Sequence, residues 1–193
     1  MGEHEVRKRA VFLDRDGVLN RPVVRGGLPF PPANVDEFEL YPGVATGSAQ
    51  LKAAGFILIV VSNQPDVGRG TQTRAAIEAM HEKLRAAVPA IDAIEVCYHA
   101  GASRGDPCDC RKPKPGMLRA AAASHHIDLK RSFLIGDRWR DIDCAKAAGC
   151  LAIFIDHGYS EPLREKPDLT VTSFAGAVAR ILESDLSRSA TTD

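Results

Sequence analysis

The chain predicts an α/β fold, a three-layer α/β/α sandwich around a parallel, Rossmann-like sheet. Three observations carry that expectation. Short continuous apolar runs such as Phe56-Ile57-Leu58-Ile59-Val60-Val61 lack the alternation of a half-solvated strand and belong to strands covered on both faces. Segments of helical period lie between these runs, and alternating strands and helices build parallel sheets. Several strands stop abruptly in polar clusters, as expected where ligands gather outside the carboxyl ends of such a sheet. At 193 residues, one domain spanning 1–193 is expected, with no internal repeat.

The first strand is Ala10 to Leu13, which ends at Asp14-Arg15-Asp16-Gly17. Alternation along an extended backbone would aim Asp14 and Asp16 the same way, where they would repel unless a cation lies between them or one holds a proton. The plain alternative is a turn capped by aspartates. A Pro- and Gly-rich segment at about 21–42 has no clean period and is long for a connection, which suggests a functional flap. A helix from Val44 to Ala54 is closed by Gly55 in the left-handed conformation. The strand from Phe56 stops at Ser62-Asn63-Gln64-Pro65. Thr73 to Ala87 carries Ile77, Met80, Leu84 and Val88 at helical spacing. Ile91 to Tyr98 is a third strand, and Pro115 suits the first position of a helix with Met117, Leu118 and Ala121 inward. His125 and His126 fit a solvated helix end, and His4 and His81 are read as equally ordinary. Ser132 to Ile135 is stopped by Gly136-Asp137; a helix from Asp141 to Ala148 ends at Gly149. Strands follow at Cys150 to Ile155 and Leu169 to Val171. Ser173 caps a last helix with Phe174, Ala177, Val178, Ile181 and Leu182 on one face. The polar tail at about 187–193 is expected to fray.

Composition narrows the function. Twenty-five basic and 25 acidic residues balance, which disfavours nucleic acid or a membrane surface as partner. The charged N-terminus lacks the apolar segment of a signal peptide, and no run is long enough to span a bilayer. Three of the five cysteines crowd between Cys97 and Cys110, an arrangement that favours a metal over a disulfide. A cytoplasmic monomer is expected.

Four strand ends would meet at one edge of the sheet: Asp14 and Asp16, Ser62 and Asn63, the segment through Arg111 and Lys112, and Asp137 with Asp141. Carboxylates at Asp14, Asp16 and Asp137 suit Mg²⁺ together with substrate phosphate oxygens. The Ser62 hydroxyl and Lys112 ammonium suit the remaining oxygens of a phosphoryl group. A carboxylate can also attack phosphorus, so Asp14 is the expected nucleophile and Asp16 the acid and base.

In this order, Asp14-x-Asp16-Gly, Ser62, Lys112 and Gly136-Asp137-x-x-x-Asp141 resemble the haloacid dehalogenase-like phosphatases over nearly the whole chain. The resemblance implies a HAD-type sheet without a large cap domain, Asp14 as nucleophile, and Asp16 as acid and base that binds Mg²⁺ through its backbone carbonyl. Asp137 would complete the Mg²⁺ site, with Asp141 supporting it.

Cys97-Tyr98-His99 and Cys108-Asp109-Cys110 offer two ligand pairs, each with one intervening residue. Three thiolates and an imidazole form a closed tetrahedral Zn²⁺ site, here a zinc-stapled loop at 97–110. Zinc is expected to be structural and to hold Arg111 and Lys112 over the phosphate. Cys144 and Cys150 read as core residues. The stretch from Cys108 to Met117 resembles the branch of the family that removes one phosphate from a sugar bisphosphate on the route to activated heptose. That implies a small phosphorylated sugar as substrate, with Arg111 recognising it and Arg15, Asn63, Gln64 and Arg138 nearby. Pro65 departs from that branch, where a small polar residue is expected. Histidinol-phosphate phosphatases are the nearest rival reading. Arg21 and Arg25 in the flap favour a second anionic group instead. A non-enzymatic zinc module is the distant alternative.

Overall fold

The computed structural model describes residues 7–189. Residues 1–6, with His4 and most of the charged leader, and residues 190–193 of the expected tail lie outside them.

Six parallel strands form the central sheet: β1 (Arg9–Leu13), β4 (Phe56–Asn63), β5 (Ala93–Cys97), β6 (Phe133–Gly136), β7 (Leu151–Ile155) and β8 (Leu169–Val171). Their order is β5-β4-β1-β6-β7-β8, so the chain builds outward from β1 on one side and then resumes on the other. β1 thus sits where the winding reverses, the position at which such sheets open a crevice. Helices α1 (Val44–Ala53), α3 (Arg74–Ala87) and α6 (Phe174–Ser189) cover one face, and α4 (Gly116–His125) and α5 (Trp139–Ala148) the other. Alternation in β1 serves both: Val11 and Leu13 join the first core, Ala10 and Phe12 the second. All four are fully buried, which is why the run shows no polar alternation.

Four local outcomes differ from expectation. The flap holds a two-stranded antiparallel hairpin, β2 (Val23–Arg25) and β3 (Leu28–Phe30), turned by Gly26-Gly27 with φ of 57° and 75°. Those angles suit the primed turn that matches strand twist. Pro65 opens a short helix, α2 (Pro65–Gly68), at a position where its missing N–H costs nothing. α5 begins at Trp139, because Asp141 lies at its third position and accepts the Arg138 backbone N–H at 3.1 Å. α6 runs to Ser189, into the segment expected to fray. Among the described residues, no helix is long and apolar enough to cross a membrane.

Candidate active site

β1 delivers Asp14 to the carboxyl edge of the sheet, and β4, β6 and the loop after β5 deliver the rest. Both described bonds to the Asp14 carboxylate fall on Oδ1: the Arg15 backbone N–H at 2.8 Å and Lys112 Nζ at 2.8 Å. Oδ2 is left facing a cleft of about 300 Å³. Lys112 is itself buried, and its ammonium also donates to the Val61 carbonyl at 2.7 Å and pairs with Asp141 Oδ1 at 2.7 Å. The Asp14 and Val61 contacts are hydrogen bonds, and the Asp141 contact is an ion pair without hydrogen-bond geometry. Burial lowers the Lys112 pKa, but Asp14 and Asp141 outweigh it and the net shift is upward.

Asp14, Asp137 and Asp141 offer ligand oxygens within 4.8 Å of one another. Burial, then Asp141, push Asp14 up to about 6 against the pull of Lys112. Burial, then the Asp14 and Asp141 charges, hold Asp137 well above the usual carboxylate range. Neither Asp137 oxygen has a well-formed hydrogen bond among the described residues. Burial, then the Asp137 charge, raise the nearby Tyr159 phenol, but its hydroxyl gives that carboxylate no such bond. A buried carboxylate left without donors, beside two more carboxylates and one ammonium, is the donor set of a hard divalent cation. Asp141 Oδ2 accepts the Arg138 N–H and Asp141 Oδ1 lies 2.7 Å from Lys112 Nζ without a well-formed hydrogen bond, so Asp137 is the buried carboxylate left with none at either oxygen among the described residues. Gly17 lies close against Asp137. Its φ is +94°, and a Cβ there would stand 1.8 Å from Asp137 Oδ2.

Asp16 lines the same cleft but turns its carboxylate into a cage. Arg15 grips it through Nε and Nη2 at 2.9–3.2 Å, Asn20 Nδ2 donates at 3.0 Å and Gln64 Nε2 at 2.9 Å. Arg15 is fully buried behind Asp16 and is not among the residues lining the cleft. Gln64 is also buried, spanning Asp16 and the Ser62 hydroxyl, the latter at 2.9 Å. Ser62 is buried and is not among the residues lining the cleft. Asn63 lines it, yet its amide is occupied, donating to the Lys112 carbonyl at 3.0 Å and accepting the Lys112 N–H at 3.1 Å. Lys112 is thus clamped from β4 as well as by the cysteine loop.

Arg111 and Arg138 line the cleft as expected from the sequence. The Arg138 guanidinium pairs with Glu161 and donates to the Pro29 carbonyl of the flap at 3.3 Å. Two further cations were not foreseen there. Arg69 follows α2, and Arg140 lies on α5, 3.6 Å from Glu161. The available signal was the crowding of arginines beside two polar strand ends, Gly68-Arg69-Gly70 and Arg138-Trp139-Arg140. Arg21 and Arg25 are corrected in the opposite sense. Arg21 pairs with Glu39 at 3.2 Å and lies over Tyr41, Arg25 lies over Phe30, and neither lines the cleft. His157 also escaped notice; its Nε2 meets the Gly17 carbonyl at 2.7 Å. His81, expected to be unremarkable, is fully buried against Arg15.

Cys97, His99, Cys108 and Cys110 converge with ligand atoms within 4.8 Å of one another. Cys97 Sγ lies 3.7 Å from Cys108 Sγ and 3.6 Å from His99 Nδ1, which is 3.3 Å from Cys110 Sγ. Zn–S bonds of about 2.3 Å at tetrahedral angles separate ligands by roughly 3.5–3.8 Å, so the set fits zinc. All five cysteines are unbridged, and Cys144 and Cys150 are buried in the core.

The Hydrolase-like (HAD-hydrolase-like) family model matches residues 109–177. A Pseudomonas putida protein named D-glycero-beta-D-manno-heptose-1,7-bisphosphate 7-phosphatase is 36% identical over 184 residues, 90% of this chain and 99% of its own. A Thermosynechococcus vestitus D-glycero-D-manno-heptose-1,7-bisphosphate 7-phosphatase is 34% identical over 88% of this chain and 93% of its own. Among solved structures, the D,D-heptose 1,7-bisphosphate phosphatase of B. bronchiseptica, complexed with magnesium and phosphate, superimposes with a TM-score of 0.74 at 29% identity. That match covers 91% of this chain and 99% of the other.

Proposed function

Since the chain belongs to the haloacid dehalogenase-like hydrolases, in the family of these heptose bisphosphatases, we propose that it is a Mg²⁺-dependent phosphatase. Its substrate in this reading is D-glycero-D-manno-heptose 1,7-bisphosphate, from which it removes the 7-phosphate. The observation that carries the reaction is the single unengaged Asp14 oxygen, facing the cleft beside Lys112 and the orphaned Asp137 carboxylate.

Asp14 Oδ2 attacks phosphorus in line with the bridging oxygen. The P–O bond to the sugar breaks, Asp16 gives that oxygen its proton, and the phosphoryl group rests on Asp14 as an acyl phosphate. A water then attacks the same phosphorus while Asp16 takes its proton, and inorganic phosphate leaves with Asp14 restored. Lys112 neutralises charge on the transferring oxygens. Asp14, Asp137 and the Asp16 carbonyl would hold Mg²⁺, which when bound offsets repulsion between carboxylate and phosphate. Arg15, Gln64 and Asn20 aim Asp16, while Asn63 aims Lys112. Ser62 acts through Gln64. Cys97, His99, Cys108 and Cys110 would hold Zn²⁺ as a structural staple for the loop that presents Arg111 and Lys112. Burial pushes the Cys97 thiol up, so a thiolate there is favoured only beside a cation.

The cleft supports a bisphosphate over an amine-bearing ester. Arg69, Arg111 and Arg140 line the cleft, Arg69 paired with Asp66 and Arg140 with Glu161; their excess positive charge would favour a second phosphate over the ammonium of histidinol phosphate. Every group used comes from one chain, so we read the enzyme as a monomer. Unbridged cysteines fit a reducing cytoplasm. The test is a panel of phosphate esters with Mg²⁺ and Zn²⁺ supplied, including both anomers of the heptose bisphosphate. One anomer should exceed histidinol phosphate in kcat/KM by about two orders of magnitude, the scale of one like-charge juxtaposition. Preference for histidinol phosphate, or turnover of neither, would overturn the assignment.

A further inference from the structure

Behind Asp16 a polar chain runs from buried Arg15 and His81 to partly exposed Glu78 and Tyr98. Arg15 is fully buried, its guanidinium 5.6 Å from the Phe38 ring, and its donors are divided. Nε and Nη2 hold Asp16, while Nη1 lies 3.2 Å from His81 Nε2. An arginine can only donate, so His81 Nε2 must accept and the ring proton must sit on Nδ1. Nδ1 is buried and makes no well-formed hydrogen bond among the described residues; the carboxylate oxygen Glu78 Oε2 stands 3.5 Å away. Glu78 is held in turn by the Tyr98 hydroxyl, which donates to Oε1 at 2.6 Å. Tyr98 stands between the cluster residues Cys97 and His99. Burial, then the Arg15 charge, push His81 down to about 4, so the ring stays neutral through the working range.

Resting on the reading of Asp16 as acid and base, we propose that His81 is a positioning residue for Asp16. Its Nε2 lone pair fixes one arm of Arg15, so that the other edge of the guanidinium presents the Asp16 carboxylate to the departing oxygen. The Glu78 carboxylate favours a proton on Nδ1 through its charge, and the Tyr98 hydrogen bond ties Glu78 to the cysteine loop. With a proton on Nε2, two donors would face each other and the Arg15 fork would swing. Proton transfer depends steeply on such alignment, whereas departure of an already stable anion does not.

The experiment compares leaving groups. Phosphorylation of Asp14 is followed in single turnovers with heptose bisphosphate and with p-nitrophenyl or acetyl phosphate, whose leaving groups depart without a proton. His81→Leu should slow the sugar ester about tenfold to a hundredfold, within the 10²–10⁴ that a positioned acid contributes, and the activated esters less than about threefold. His81→Gln, which can accept from Arg15 and donate to Glu78, should restore most of the sugar-ester rate. Glu78→Ala, at a half-exposed position, should show the same signature at smaller size and carries the test if His81→Leu does not fold. Equal slowing of both ester classes by the His81 and Glu78 variants would reduce His81 to a packing residue and overturn the inference. Asp16→Asn separates the two levels. If Asp16→Asn is itself indifferent to the leaving group, the acid-base reading fails. If Asp16→Asn is sensitive and the His81 variants are not, only the role of His81 fails.

Discussion

Asp14 and Asp16 stand two residues apart at one strand end, and their surroundings give them opposite freedoms. Asp14 keeps one oxygen unengaged, whereas Asp16 is gripped by Arg15, Asn20 and Gln64. Replacing Asp14 with Asn should therefore abolish attack while leaving the fold intact. Turnover should fall by roughly 10⁴-fold or more, on the scale of other nucleophile removals, and residual activity near wild type would exclude the assignment. Gly17 gives a second residue-scale test. Gly17→Ala places a Cβ against Asp137 in a left-handed conformation and should destabilise the fold by about 2–4 kcal/mol. It should also abolish the Mg²⁺-induced rise in Tm; a normal Mg²⁺ response would contradict the geometry. The two aspartates were legible because polar residues stop an apolar run, and Lys112 because it follows directly on the cysteine loop after the third strand. The side-chain directions of Arg15, Asn63 and Gln64 were not, since a loop has no period and each turns toward a residue distant in sequence. Arg21 and Arg25 misled for the same reason, because charge in a flap does not say which face carries it.

The flap and the cysteine loop are the elements that shape the cleft, and they were unequally readable. Gly26-Gly27 between short runs of Val and Phe is a hairpin signal, but three-residue strands interrupted by Pro29 are too short to show alternation. The loop at 97–110 was legible because metal-ligand spacing is a chemical constraint that needs no period. Its dependence on zinc can be tested directly. A zinc-selective chelator with Mg²⁺ in excess should remove activity and raise hydrogen exchange across the loop, and added Zn²⁺, not Mg²⁺, should restore both. Full activity in demonstrably zinc-free protein would contradict the staple. Because Asn63 also clamps the Lys112 backbone, the zinc-free enzyme should keep its secondary structure.

At the scale of the molecule, the sheet was readable almost entirely, because burial on both faces leaves an unmistakable apolar run and the rules of parallel winding do the rest. Strand-end convergence followed from that topology. What composition could not supply was the pairing of distant groups, as in Arg15 with His81 or Arg138 with Glu161. Convergence of buried carboxylates also makes stability depend on metal and pH together. Without Mg²⁺, Asp14 and Asp137 have raised folded pKa values. Their contribution is therefore full at low pH and is lost as pH rises through about 6 and above. Mg²⁺ needs both groups ionised, so its stabilisation should be near zero at pH 5 and grow to about 2–3 kcal/mol at pH 8 when present at ~100 times its Kd. That corresponds to a Tm rise of roughly 5–10 °C; an equal rise at both pH values would rule the site out. The most direct test of the central claim is a rapid-quench single turnover with heptose 1,7-bisphosphate carrying labelled phosphate at position 7. Transient label on Asp14, heptose 1-phosphate released in the same phase, and label then passing to inorganic phosphate are the predicted result. Release of labelled phosphate with no label ever on Asp14, or cleavage at position 1, would contradict it.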